Sequence, residues 1–269
     1  MALRNFFDYG SLMNTPTVYE VLAETGIMVA ARDGVKLATD IYRPARNGKA
    51  AEGKFPVILE RTPYGKSRAS RSEVDSGEVK ARPRPEVAAH FVRHGYVVVY
   101  QDCRGRHGSE GEFVKYLSDG EDGFDTVQWI EQQPWCNGKV ATMGLSYAAH
   151  TQVALACLAP RALAAMVVDC GGFSNAYLSG IRSGGAFEMK QVTWAFNQAK
   201  ESLLAHTDVR VREALAAEDL ITWFKRMPWK PGQSPVKWAP EYEDYLFEDR
   251  KSTRLNSSHT DISRMPSSA

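Results

Sequence analysis

The sequence has no excess of either charge: 33 Lys and Arg residues stand against 32 Asp and Glu residues. A protein that binds nucleic acid usually carries a basic surplus, so the composition argues against such a partner. No run of about 18 apolar residues occurs, so no membrane-spanning helix is expected. The first ten residues, MALRNFFDYG, lack the basic, apolar and small-residue pattern of a secretory signal. We therefore expect a cytoplasmic protein without a membrane partner.

Signals for a cofactor or metal are also missing. Four cysteines stand far apart, at positions 103, 136, 157 and 170, and form neither a CxxC pair nor a zinc pattern. No phosphate-binding loop and no G-x-G-x-x-G sequence occurs. The sequence thus predicts no cofactor and no metal. Its 43% hydrophobic residues suffice for a large buried core.

Apolar segments alternate between strand and helix patterns. A hairpin is predicted over residues 26–44, with Asp33 and Gly34 as a two-residue turn. Strands are then predicted at 55–63, 96–102, 139–146 and 163–170, and helices at 85–95, 119–133 and 147–159. The polar residues 65–85 are predicted to form a loop. Strands that alternate with helices indicate an α/β fold with a mainly parallel sheet covered on both faces.

The pattern changes after Gly172. Residues 186–225 are predicted to be helical, and no further strand is expected. We expect three parts: the N-terminal part of an α/β core (1–172), part of a helical cap (173–249) and a polar tail (250–269) that is non-native or disordered. Four of the six tryptophans lie in the cap, at positions 194, 223, 229 and 238. They either pack the cap on the core or line an apolar pocket.

Ser146 is the candidate nucleophile. It stands in VATMGLSYAAH, between a predicted strand and a predicted helix. A serine in such a sharp turn, flanked by small residues, is typical of the nucleophile elbow. Gly144 fits the pattern, whereas Ala148 stands where glycine is usual. The alternative is an ordinary turn from strand to helix.

Five segments in order give a wider resemblance: RDGVKLATDIYRP, PVILERTPYGK, HGYVVVYQDCRGRHGSEGEF, DGEDGFDTVQWIEQQPWCNGKVATMGLSYAAHTQ and CGGFSNAY. Together they resemble the CocE/NonD hydrolases, a group that includes the X-Pro dipeptidyl-peptidase catalytic domain. The resemblance covers about residues 20–249. It implies an α/β-hydrolase fold and a serine hydrolase that cleaves esters or amides through an acyl-enzyme.

The same resemblance implies roles for three residues. Ser146 matches the acylating serine, and the backbone N–H of Tyr147 matches one oxyanion-hole donor. The side-chain hydroxyl of Tyr64 matches the other donor; the alternative for Tyr64 is a loop residue that only packs. Two fixed donors lower the barrier because the tetrahedral intermediate carries negative charge on one oxygen.

Three charged residues after the second parallel strand, Asp102, Arg104 and Arg106, are predicted to support the elbow from a hydrogen-bonded loop. Asp169, at the end of a strand, occupies a position that some lipases use for the catalytic acid.

No histidine after the serine is assigned as the base, because His150 lies in the elbow helix, His206 in the cap and His259 in the tail. The order of the triad in this fold is serine, acid, histidine. We therefore expect the acid and the histidine beyond Asp249, and expect this chain alone to be an inactive fragment.

Two other functions remain open. One is an X-Pro dipeptidyl-peptidase, which needs an anionic or polar site for a free amine. The other is a binding protein without catalysis. The expected partner is a small ester, an amide or a short peptide, and no oligomeric state is predicted.

Overall fold

The computed structural model describes residues 18–69, 81–171, 182–183 and 186–247. Their strands are β1 (Glu20–Ala30), β2 (Lys36–Arg46), β3 (Lys49–Ala50), β4 (Phe55–Thr62), β5 (Val97–Asp102), β6 (Cys136–Leu145), β7 (Leu163–Asp169), β8 (Arg182–Ser183) and β9 (Ala186–Phe187). Their helices are α1 (Arg84–Arg93), α2 (Asp119–Glu131), α3 (Tyr147–Ala156), α4 (Met189–Lys200), α5 (Leu203–Thr207), α6 (Val209–Ala217), α7 (Leu220–Phe224) and α8 (Pro240–Phe247).

The main sheet has the strand order β1-β2-β5-β4-β6-β7, and β3 pairs with β2. Strands β5, β4, β6 and β7 are parallel, while β1 and β2 form an antiparallel hairpin that joins β5. Helices α1, α2 and α3 connect the parallel strands in the predicted order. The predicted α/β fold with a mainly parallel sheet is therefore confirmed.

Alternating side chains of the central strands build a core on each face of the sheet. On β5, Val97 and Val99 point to one face, where Val127 and Leu155 of α2 and α3 pack. The intervening side chains Val98 and Tyr100 point to the other face, where α1 packs. A central strand that is buried on both sides explains the continuous apolar run of β5.

Two local predictions are wrong. The β1–β2 connection is not a two-residue turn, because Ala31 N–H bonds to the Val35 carbonyl and encloses three residues. Gly34 alone of the Asp33-Gly34 pair has a positive φ, 87°, as in a three-residue hairpin loop. Strands also do not stop after Gly172, since the short antiparallel pair β8–β9 precedes the helices.

Strand β7 lies at the edge of the sheet, and in the described ranges no strand pairs with its outer side. Its valines are exposed, Val167 by 65% and Val168 by 40%. Across the same described ranges, no helix is long and apolar enough to cross a membrane.

A buried ion pair fixes α1 to the sheet. Arg84 donates from Nη2 and Nε to Oε1 of Glu60 on β4, at 2.6 and 3.0 Å, and both side chains are almost fully buried. Arg84 Nη1 also donates to the carbonyls of Gly65 and Arg68. One guanidinium thus holds the helix, the strand and the loop that follows β4.

We expect Arg84→Met to lower the free energy of unfolding by about 3–5 kcal/mol, because it leaves the Glu60 carboxylate buried without its cation. Urea denaturation measures the change. The control is Arg161→Met, which breaks a pair with Glu131 in which the arginine is exposed; we expect a loss below about 1 kcal/mol. Equal effects of the two substitutions would contradict the structural role of Arg84.

Candidate active site

Ser146 occupies a strained turn between β6 and α3. Its φ of 59° and ψ of −111° lie outside the backbone regions that residues other than glycine favour. The Ser146 N–H donates to the Asp169 carbonyl of β7 at 2.9 Å, and its own carbonyl accepts from the amides of Ala149 and His150. Sheet and helix thus hold the strained residue from both sides.

Two glycines allow this turn to exist. A Cβ added at Gly144, where φ is 145°, would lie 2.5 Å from the Cβ of Ala148. A Cβ at Gly171 would lie 2.4 Å from the Ser146 carbonyl oxygen. The close approach at Gly144 also explains how alanine fits at position 148, because Gly144 leaves room for its methyl group.

The Tyr64 hydroxyl lies beside the serine. Its oxygen accepts a hydrogen bond from Trp194 Nε1 at 3.0 Å, and Ser146 is close enough to oppose part of the effect of burial on its pKa. Burial raises the pKa of Tyr64, so the phenol keeps its proton near neutral pH and can act as a donor.

Tyr147 begins α3, directly after the serine. Among the described residues, no acceptor takes its backbone N–H, as is usual in the first turn of a helix. Its buried side chain anchors the helix start, since the hydroxyl accepts from the Tyr116 amide at 3.0 Å. The structure therefore brings Ser146, Tyr64 and Tyr147 together.

The loop after β5 holds the loop that carries Tyr64. The Pro63 carbonyl accepts from Arg106 Nε and from His107 Nε2, each at 3.1 Å. Asp102 Oδ1 accepts from the Lys66 amide at 2.7 Å. These contacts lie on both sides of Tyr64, so they hold the loop that carries Tyr64 rather than the elbow that was predicted.

Arg104 contributes to this support at a distance from the serine. It pairs with Asp122 at 2.6 Å and with Asp33 at 2.7 Å. The contacts join the loop after β5 to α2 and to the first hairpin.

The histidines after Ser146 differ in their surroundings. His150 is buried, its ring centroid is 4.0 Å from that of Tyr116, and burial lowers its pKa to about 3. His206 is exposed on α5. Residue 259 lies outside the described residues. The exposed Asp169 meets the serine through its backbone carbonyl. We assign none of these side chains to the triad.

A cavity of about 480 Å³ opens beside the serine. Its lining includes Tyr64, Lys115, Ser146, Cys170, Lys190 and Trp194. No group of three or more metal-ligating side chains occurs in the described part of the chain.

The tryptophans fall into two groups. Trp194 lines the cavity, whereas the rings of Trp223 and Trp229 pack edge to face elsewhere, 6.2 Å apart. Trp238 is 44% exposed. Of the four tryptophans, Trp194 thus fits the pocket interpretation, and the other three do not belong to the lining of this cavity.

Sequence reasoning missed Lys115, which the fold brings to the same cavity. It stands in the segment between β5 and α2, where no hydrophobic period or motif marks it. Only the packing of α4 and α8 against this segment shows that its amine is buried.

A strained serine between strand and helix, on a mainly parallel sheet covered by helices, defines the α/β-hydrolase class. The profile of the X-Pro dipeptidyl-peptidase (S15) family matches residues 33–227, and the chain belongs to this family. It is 44% identical over 128 residues to cocaine esterase of Rhodococcus sp. strain MB1 Bresler, covering 48% of this chain and 20% of the esterase.

Solved structures agree with this assignment. A CocE/NonD family hydrolase from Staphylococcus aureus is 29% identical with a TM-score of 0.55, covering 66% of this chain and 33% of that one. An aminopeptidase from a marine sediment Thaumarchaeota archaeon is 29% identical with a TM-score of 0.52, covering 68% and 31%. The chain thus spans between a fifth and a third of the length of these relatives.

The elbow packing can be tested at Gly144. We expect Gly144→Ala to lower the free energy of unfolding by about 2–4 kcal/mol, because the new methyl group overlaps that of Ala148 on top of the backbone strain. Adding Ala148→Gly should recover at least about 1 kcal/mol. Chemical denaturation measures the free energy of unfolding of the single and the double variant.

Gly138→Ala is the matched control. Gly138 also has a positive φ, 84°, but a Cβ there would meet nothing within 4 Å. It should cost only about 1 kcal/mol, from the backbone conformation alone. A Gly144→Ala variant as stable as this control, or one that Ala148→Gly does not rescue, would show that the contact is unimportant.

Proposed function

We propose that the chain carries the nucleophile and the oxyanion donors of a serine hydrolase that acts on esters or amides. The observation that carries the proposal is the strained turn at Ser146, whose side chain lines an open cavity together with Tyr64. A strained serine costs stability and persists where the surrounding structure enforces it, which is common at functional sites.

In the proposed reaction, Ser146 Oγ bonds to the carbonyl carbon of the substrate while its proton passes to a general base. The carbonyl oxygen becomes negative, and the Tyr64 hydroxyl and the Tyr147 N–H donate to it. The tetrahedral intermediate then expels the leaving group, which takes the proton, and water releases the acyl group by the reverse steps. No histidine of the described residues is assigned as the base.

Esters or amides without a free amine fit the cavity better than X-Pro peptides do. Its lining includes Lys115 and Lys190, and none of its described lining residues is acidic. A peptidase that recognises an N-terminal amine needs an anion or several polar acceptors for it. A binding protein without catalysis would have no need of the Tyr64–Ser146 pair.

Labelling by a fluorophosphonate probe tests the nucleophile. We expect the full-length protein to be labelled at Ser146 and Ser146→Ala to lose the label and the hydrolysis of p-nitrophenyl butyrate, with an unchanged circular dichroism spectrum. Ser118→Ala is the control, because Ser118 precedes α2 and makes no capping bond there. Labelling that survives in Ser146→Ala would refute the assignment.

The role of Tyr64 has its own test. We expect Tyr64→Phe to lower kcat by about 10²–10³ and to change KM much less, which is the effect of losing one oxyanion donor. The matched control is Tyr96→Phe, at a partly exposed tyrosine just before β5. Steady-state kinetics on p-nitrophenyl butyrate decide between the two roles of Tyr64: a Tyr64→Phe variant with wild-type kcat would leave it only a packing role.

A further inference from the structure

Lys115 places a cation inside the wall of the cavity. Its residue is only 4% exposed, yet it belongs to the lining that also contains Ser146. Its ammonium nitrogen donates to Gln191 Oε1 at 3.0 Å and to the Tyr245 hydroxyl at 2.7 Å. An ammonium group has three N–H donors, so one donor remains after the hydrogen bonds to these two neutral oxygens.

Aromatic rings surround the same nitrogen. It lies 3.7 Å from the ring centroid of Trp194, 4.4 Å from that of Tyr245 and 4.7 Å from that of Tyr116. Cation–π contacts of this kind stabilise a positive charge without neutralising it. The surroundings therefore hold the ammonium group in place and leave its charge unbalanced.

No carboxylate of the described residues forms an ion pair with Lys115. Asp119 attracts it weakly from a distance, whereas burial and the neighbouring charge of Lys190 lower the pKa of Lys115 well below its usual value. A carboxylate bound beside the amine would raise this pKa again and keep the amine protonated. Buried lysines are normally paired, because an unpaired charge in the interior is costly. A bound anion would supply the missing partner.

Lys190 adds a second positive charge at the same cavity. It stands in the first turn of α4, is exposed to solvent and also lines the cavity. Two lysines on aromatic walls form a site that attracts a carboxylate and repels an amine.

We propose that the cavity selects esters or amides whose acyl part carries a carboxylate, bound by Lys115 and attracted by Lys190. This proposal adds a substrate class to the proposed function and depends on it. Lys115 is then a specificity-determining residue that contacts the substrate away from the reacting carbonyl. A free amine at that end of the substrate would meet the two lysines instead of a counter-ion.

The test compares two esters of the same acyl chain in the full-length protein. One is p-nitrophenyl hydrogen adipate, which carries a free carboxylate, and the other is its neutral methyl ester. We expect wild-type kcat/KM to favour the acid by about tenfold or more, and Lys115→Met to reduce this ratio at least about tenfold, because the carboxylate loses its buried partner. Lys190→Met, at an exposed charge, should reduce it by about two- to fivefold.

Lys200→Met is the matched control. Lys200 ends the same helix α4 and lies 4.1 Å over the Phe196 ring, outside the cavity. In Lys200→Met, the ratio of kcat/KM for the acid to kcat/KM for its methyl ester should equal that of the wild type. If Lys115→Met does not fold, protection of the wild type against fluorophosphonate labelling tests the carboxylate site instead. Adipate should slow the labelling, and dimethyl adipate at the same concentration should not.

The outcomes separate the two proposals. A wild-type ratio near one, an unchanged ratio in folded Lys115→Met, or equal protection by adipate and its dimethyl ester would overturn the carboxylate site while the serine hydrolase stands. Absence of fluorophosphonate labelling and of hydrolysis of both esters would overturn the proposed function itself, and the substrate class with it.

Discussion

The close packing of β6 against α3 is the constraint on which the candidate site depends. Gly144 and Gly171 provide the space, and any side chain at either position would overlap the backbone or an alanine of the elbow. This contact forces Ser146 into a conformation that it would not adopt alone. The same contact sets the direction of the first amide of α3. One packing contact therefore fixes both the position of the serine and the direction of the Tyr147 N–H.

Tyr64 comes to the serine by a separate route, through polar rather than apolar contacts. The carbonyl of Pro63 and the amide of Lys66, on either side of it, bond to the loop after β5. Neighbouring parallel strands β4 and β5 end at the same edge, so their loops meet there. The site thus combines a rigid turn made by small residues with a loop held by charged ones.

The sequence predicted much of this arrangement because its signals are local. The buried run of β5 and the G-x-S turn before a small-residue helix led to the mainly parallel sheet and to the elbow. The three-residue hairpin loop was missed because Asp33-Gly34 fits more than one turn type. Lys115 could not be foreseen, because its burial results from Gln191 and Tyr245, 76 and 130 residues away in sequence.

The cysteines differ in a way that matters for chemical modification. Cys103 is buried directly after β5, and burial raises the pKa of its thiol, whereas Cys170 is exposed where β7 ends and lines the cavity with Ser146. A thiol reagent that reacts with exposed cysteines would therefore place its adduct at the mouth of this cavity. The native chain thus offers an attachment point for a fluorescent or spin reporter close to Ser146, at a residue that needs no engineering.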